Sequence, residues 1–277
     1  MYSIGWFSTA KGQGSRDLLT TVQESIARGE IKAKIEFIFL SRESGESAET
    51  DKFIELANSY SIPTVSISYQ RYRKEHGITG TCGDSLPDWR LDYDHQVMKL
   101  LERFPRPDLC VLAGYMLIVG PEMCTRFSMV NLHPAAPDGP AGTWQEVIWK
   151  LIDDRSDSSG VMIHLVTPEL DKGPVVSFCR FSIKGKAFDN LWQEIGNLNS
   201  SEIKAREGEQ NHLFRQIRRH GAARELPLIV STVKAFSEGT IRITDGVITS
   251  RDGKIINGYD LSNEIDCRVK TVLNDQL

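Results

Sequence analysis

Cysteine is scarce in this chain and badly spaced for cross-linking. Its five cysteines, Cys82, Cys110, Cys124, Cys179 and Cys267, are odd in number and far apart, and no Cys-x-x-Cys pair occurs. That argues against a disulfide framework or a structural zinc site, so free thiols in a reducing cytoplasm and no bound metal are expected. No apolar run approaches the length of a membrane span. The first residues, Met1 to Phe7, lack the basic start and cleavage region of a signal peptide and read as a strand, which points to a cytoplasmic location. An excess of positive charge is also missing: 33 Lys and Arg stand against 37 Asp and Glu, a net charge of −4. General attraction to nucleic acid or to a membrane is therefore not expected. The one concentrated basic run, Arg215, Arg218, Arg219 and His220, reads as a solvated helix face.

What remains is an ordinary globular composition, 40% hydrophobic and 25% charged over 277 residues. That length suits one large α/β domain, or a domain with a smaller appendage. Strand signals at 2–8, 35–40, 64–67, 108–113 and 129–133 alternate with helical spacing. A helix is expected from Ser15, with Leu18, Leu19, Val22 and Ile26 on one face, and another over 49–60. A third carries Tyr93, Val97, Leu100, Leu101 and Phe104 on one face, while the charged, Gly-containing stretch 70–88 reads as a loop. Such alternation predicts an open, mostly parallel Rossmann-like sheet with helices on both faces. From Ser159 the pattern changes. Gly160–Val166 and Val175–Ile183 read as an antiparallel edge pair, followed by helices over about 187–206 and 208–238. Short β signals flank Asp245-Gly246, completing a small C-terminal α/β extension.

Three places could carry chemistry. Asn131 and His133 are two apart on one strand, so their side chains share a face at its carboxyl end, where open α/β sheets bind ligands. An amide and an imidazole there can polarise a carbonyl; equally, they can cap a loop by bonding backbone. Asp171 sits in the turn Pro168–Pro174, where a carboxylate can orient an imidazole or simply form the turn. Gly12-Gln13-Gly14-Ser15-Arg16 joins the first strand to the first helix and suits either a phosphate cradle or a tight turn with Ser15 as N-cap.

These stretches together resemble a known family. Val130-Asn131-Leu132-His133-Pro134 is similar to the Asn-x-His-Pro motif of enzymes that use 10-formyltetrahydrofolate as formyl donor. Leu170-Asp171-Lys172-Gly173-Pro174-Val175 resembles their Asp-x-Gly-Pro motif, and Leu112-Ala113-Gly114-Tyr115-Met116 the stretch beside the folate. Gly12-Gln13-Gly14-Ser15 matches the loop that holds the substrate phosphate in phosphoribosylglycinamide formyltransferases. The four occur in family order over about residues 1–185, taken as the catalytic domain, with 186–277 as an extension packed on it. The resemblance implies attack of a substrate amine on the formyl carbon. Protonated His133 and the Asn131 amide would stabilise the oxyanion, and Asp171 would hold the imidazole and help move the proton. Gly12, Gly14, Ser15 and Arg16 would bind the ribose phosphate. Arg90, Tyr115, Met116, Leu117 and Val119 would line the folate site, and His164 would play a supporting part.

The family pattern is broken on the acceptor side. Residues 134–142 replace its usual Pro-Ser-Leu-Leu-Pro, Arg16 stands for an asparagine and Leu117 for an arginine. The implied activity is formyl transfer to 5-phosphoribosylglycinamide in de novo purine biosynthesis, with a phosphorylated ribosyl amine and a reduced folate as small-molecule partners. A homodimer is compatible with it. The alternatives are a formyltetrahydrofolate hydrolase, usually carrying an N-terminal regulatory domain where this chain starts with its first strand, or transfer to another amine such as an amino sugar. A phosphate-binding module without catalysis is a further alternative.

Overall fold

In the structure, a computed structural model, residues 1–79 and 86–274 are described. Eight strands form one sheet in the order β10-β7-β6-β5-β4-β1-β2-β3. Strands β1 (Tyr2–Ser8), β2 (Ala33–Leu40), β3 (Thr64–Ser66), β4 (Leu109–Leu112) and β5 (Met129–His133) are all parallel. Strand β6 (Ser158–Leu165) is antiparallel to β5, and β7 (Val175–Ser182) is antiparallel to β6. The order reverses between β1 and β4, which places the topological switch point where the loops after those strands meet.

Strand periodicity divides the core. Ile4, Trp6, Ile38, Leu40, Leu109 and Val111 face one side of the sheet, Phe7, Phe37, Phe39, Cys110 and Leu112 the other. On the first side pack α1 (Gln13–Ala27), α2 (Ala48–Ser59), α9 (His212–Ser237) and α10 (Ser262–Asn274). On the second lie α3 (Tyr69–Glu75), α4 (Asp88–Leu101) and α5 (Pro121–Arg126). A third apolar cluster joins α6 (Trp144–Asp153), α7 (Asp189–Ile195), α8 (Ser200–Arg206) and the start of α9. Strands β8 (Ile241–Thr244) and β9 (Val247–Ser250) form a separate hairpin.

The fold matches the sequence reading in class and departs from it in detail. The antiparallel edge of β6 and β7 is present, and a two-residue strand β10 (Tyr259–Asp260) is added outside β7, parallel to it. Two residues are too few to leave a periodic signal. The supposed loop 70–88 begins with α3, capped by Ser68 accepting from the Arg71 N–H. Arg71, Lys74 and Glu75 lie outward, Arg73 lies over the Trp89 ring, and Tyr72 is buried against Tyr93. Gly80 and Gly83 of that stretch, and Cys82, lie outside the described residues. Helix α1 starts at Gln13 with Gly12 at its N-cap, and the Ser15 hydroxyl donates back to the Gly12 carbonyl. The stretch 187–206 is two helices, broken at Gly196 (φ 51°) and restarted by a capping box of Asn199 and Glu202. The basic run on α9 is not a solvated face. Arg218 stacks over Trp144 and pairs with Glu225, Arg219 donates to the Leu273 carbonyl, and His220 packs on Phe188; Arg215 alone of the four is exposed.

Candidate active site

Strand register brings the polar groups together. Asn131 pairs with His164 across β5 and β6, and His133 follows at the end of β5. The connection from β6 to β7 then carries Asp171 back over both histidines. It can do so because Gly173 has no side chain: a Cβ there would overlap the Leu165 carbonyl oxygen. Asp171 itself sits at φ 55°, a left-handed conformation that Asp tolerates.

Asp171 lies between two imidazoles, Oδ2 at 3.6 Å from His133 Nδ1 and Oδ1 at 3.5 Å from His164 Nε2. All three side chains are less than a tenth exposed. His164 Nδ1 faces the Leu165 carbonyl at 3.0 Å and therefore donates to it. His164 Nε2 lies 3.2 Å from the Asn131 amide nitrogen and 3.5 Å from Asp171 Oδ1, so this ring nitrogen stands between the amide and the carboxylate.

His133 Nε2 lies 3.2 Å from the Pro140 carbonyl, so both ring nitrogens of His133 look at acceptors. Electrostatics works against the charged ring all the same. Burial depresses the His133 pKa and His164 adds to the effect; Asp171 and the Pro140 carbonyl oppose it, and the net direction is down. Burial thus favours the uncharged ring at rest, whereas the resemblance implies a protonated ring as the oxyanion is stabilised. For Asp171 burial acts upward, but the His164 ring, the charge interactions with both histidines and the Gly142 N–H outweigh it and hold the carboxyl below its ordinary range. An imidazole whose charged form is stabilised by an adjacent carboxylate can accept and return a proton.

Beside this group lies a small cavity of about 50 Å³, whose lining includes Tyr115, Leu117, Val119, Asn131, His164 and Asp171. The Tyr115 hydroxyl is buried without a hydrogen-bond partner among the described residues. Of the other residues expected to line a folate site, Met116 is 60% exposed and its N–H donates to Thr9 Oγ1. The Arg90 side chain is buried, pairs with Asp94 at 2.8 Å and donates to the Ile118 carbonyl. Asp94 in turn accepts the Gly120 N–H at 2.7 Å, so the two side chains brace the 118–120 segment.

The Gly12–Ser15 turn meets the loop after β4 at the switch point: the Thr9 N–H donates to the Gly114 carbonyl, and a Cβ on Gly114 would stand 3.6 Å from Ser15 Cβ. Helix α1 has no side-chain cap, which leaves backbone N–H groups of its first turn for an anion. Arg16 is committed elsewhere, to Glu49 at 2.6 Å, to the Glu49 carbonyl and to Gln13. Sequence reading did not foresee Glu49, which lies far from Arg16 in the chain; the Arg90–Asp94 pair is at i,i+4 helical spacing and could have been found, although its hold on the 118–120 segment could not. His164 is more central than its spacing alone indicated.

A Rossmann-like sheet with an Asn, two His and an Asp converging at the end of its central strands defines a class able to polarise and transfer an acyl group. Residues 20–190 match the family model described as formyl transferase, and the chain belongs to that family. It is an enzyme of the folate-dependent formyltransferase kind. The phosphoribosylglycinamide formyltransferase of Dictyostelium discoideum is 32% identical over 139 residues, 46% of this chain and 63% of that protein. That of Haemophilus influenzae is 25% identical over 258 residues, 91% of this chain and 96% of that one. Among solved structures, the phosphoribosylglycinamide formyltransferase of Coxiella burnetii superposes with TM-score 0.64 at 19% identity, covering 94% and 98% of the two chains. A formyltetrahydrofolate deformylase from Burkholderia mallei superposes with TM-score 0.60 at 17% identity, covering 90% of this chain and 69% of that one. No helix among the described residues is long and apolar enough to cross a membrane.

Proposed function

We propose that this enzyme transfers the formyl group of 10-formyltetrahydrofolate to the amine of 5-phosphoribosylglycinamide, with Asn131, His133 and Asp171 as its catalytic residues. The observation that carries this reading is the convergence of those three on the switch-point end of the sheet, with His164 orienting Asn131. Neutral His133 accepts the proton released as the amine adds to the formyl carbon. Asp171 stabilises the imidazolium so formed, and the Asn131 amide donates to the oxyanion. His133 then returns the proton to the departing folate nitrogen as the carbon–nitrogen bond breaks, leaving the enzyme as it began.

The cavity walls formed by Tyr115, Leu117 and Val119 suit an aromatic heterocycle, and the unpartnered Tyr115 hydroxyl supplies a polar contact for its edge. The acceptor phosphate would rest on the first-turn N–H groups at Gly14 and Ser15, with Arg16 tying that turn to α2 through Glu49 instead of touching the phosphate.

Spectroscopic release of tetrahydrofolate, with and without the ribonucleotide, tests the reading. Release that requires the ribonucleotide supports it. Release in its absence makes the enzyme a formyltetrahydrofolate hydrolase, a reading favoured by the engagement of Arg16 with Glu49. No release in either case points to another amine, such as an amino sugar.

A further inference from the structure

One turn of the strap formed by residues 134–142 holds both His133 and Asp171. The Pro140 carbonyl lies 3.2 Å from His133 Nε2, and further along the same turn the Gly142 N–H donates to Asp171. The strap is fastened on either side of that turn. Before it, Ala136 is buried against Gly160, where a Cβ would stand 2.8 Å from the Ala136 Cβ, and the Pro137 carbonyl accepts from Arg180 at 2.8 Å. After it, Thr143 and Glu146 form the capping box that opens α6, with Glu146 Oε2 accepting the Thr143 N–H at 2.7 Å. Gly142 sits at φ 107°, a conformation that a side chain disfavours, and a Cβ there would meet Glu146 Oε2 at 2.6 Å.

A carbonyl oxygen can only accept, so the bond to Pro140 puts a proton on His133 Nε2. The other ring nitrogen, Nδ1, faces Asp171 Oδ2 at 3.6 Å. A proton held between an imidazolium and a carboxylate draws the two atoms to about 2.7–2.9 Å. The wider separation fits a bare Nδ1. His164 is hung in the same manner, its Nδ1 on the Leu165 carbonyl at 3.0 Å and its Nε2 turned to Asp171. Asp171 borders the small cavity, so Nδ1 is the His133 nitrogen on the cavity side, while Nε2 points into the strap. In a Ser-His-Asp triad the carboxylate takes the Nδ1 proton and Nε2 is the base. Here the strap reverses the two nitrogens.

We propose that the 140–142 turn is a positioning element of the reaction: its carbonyl keeps a proton on His133 Nε2, so that Nδ1, facing Asp171, is the nitrogen that takes up the amine proton. The inference rests on the reading of His133 as proton acceptor given above. The proton gained at Nδ1 points at Asp171 and leaves from the same nitrogen to the departing folate nitrogen, while the Nε2 proton stays on Pro140 throughout.

Ring-nitrogen resonances of the full-length protein with isotope-labelled histidines, assigned through His133→Gln, report the tautomer at neutral pH without folate or amine. In the wild type Nε2 should carry the proton and Nδ1 should be bare. Gly142→Ala cannot keep the backbone of the turn, so the tautomers should mix and kcat should fall about tenfold, with KM changing much less. Glu146→Ala, which removes the cap and keeps Gly142, should have the same effects in milder form. Glu146→Gln, which still accepts from Thr143, should restore both the ring signals and the rate. A resting proton on Nδ1, or a ring charged at both nitrogens, overturns the proposal. So does a loss of rate in Gly142→Ala and Glu146→Ala with unaltered His133 signals, which would reduce the turn to a structural part. Wild type that forms no tetrahydrofolate with any acceptor overturns the transfer reading and the role of Nδ1 as base with it, a failure told apart by ring signals that still place the proton on Nε2.

Discussion

Asp171 shows how one residue can be both a turn former and a chemical group. Its left-handed backbone suits the turn that sequence suggested, and the same turn aims its carboxylate between two imidazoles. Asp171→Asn keeps the shape and removes the charge, so the imidazolium formed during turnover loses its stabilising partner. A fall in kcat of about two to four orders of magnitude is expected, with a much smaller change in KM. Steady-state kinetics on the folded variant checks this, and a loss confined to KM would instead make Asp171 a binding residue. At this scale the sequence was informative where spacing on one strand governs direction, as for Asn131 and His133. It could not reveal that Asp171 meets His133, because their contact depends on the path of the β6–β7 connection. Nor could it show that burial lowers the His133 pKa, since the packing responsible comes from distant parts of the chain.

The elements that hold these groups depend on close backbone approach. In the β6–β7 connection, Gly173 lies against the Leu165 carbonyl, and the Leu165 N–H donates to the Pro174 carbonyl at 2.9 Å. Gly173→Ala cannot be relieved by turning a side chain, because the obstacle is backbone. The connection must move, carrying Asp171 away from His133. Activity should therefore fall by at least about tenfold with only modest loss of thermal stability, since the connection is at the surface and displacements of about an ångström are costly in catalysis. Wild-type kcat in Gly173→Ala would show that Asp171 does not need its present position. Strand and helix alternation was legible because strands covered on both faces leave short apolar runs, as Ile4, Trp6 and Phe7 do. Helix α3 was not, because a single buried Tyr72 among Arg71, Arg73, Lys74 and Glu75 leaves no helical period to detect.

At the level of the whole molecule, the last third of the chain belongs to the principal core. Leu228, Ile229 and Val233 of α9 and Ile265 and Val269 of α10 bury themselves in the same cluster as Ile4 and Trp6. Arg224 on α9 reaches Asp266 on α10 at 2.7 Å. The sequence placed 186–277 as an extension packed on the rest, but helix α10 and these particular contacts left no sign, since they join segments far apart and α10 follows a β-like tail. His220 sits within the arrangement, packed on Phe188 and Phe181 and flanked by Arg219 and Arg224, with Asp266 the opposing charge. Burial chiefly, then the two arginines, lowers its pKa from 6.5 to about 4. The unfolded chain therefore takes up a proton at this site in a range where the folded chain does not. Stability is present in full above about pH 6.5 and is lost as pH falls towards 4, where the folded ring also becomes charged. Partial solvent screening brings the loss to roughly 2 kcal/mol. Melting temperatures of the wild type and His220→Gln, measured from pH 7 to pH 4, isolate this site from the other acid-labile groups. The gap between them should narrow as pH falls, because the variant has no proton to take up there. A gap that stays constant across the range would mean that His220 titrates alike in both states, and that α9 and α10 do not seal it from water.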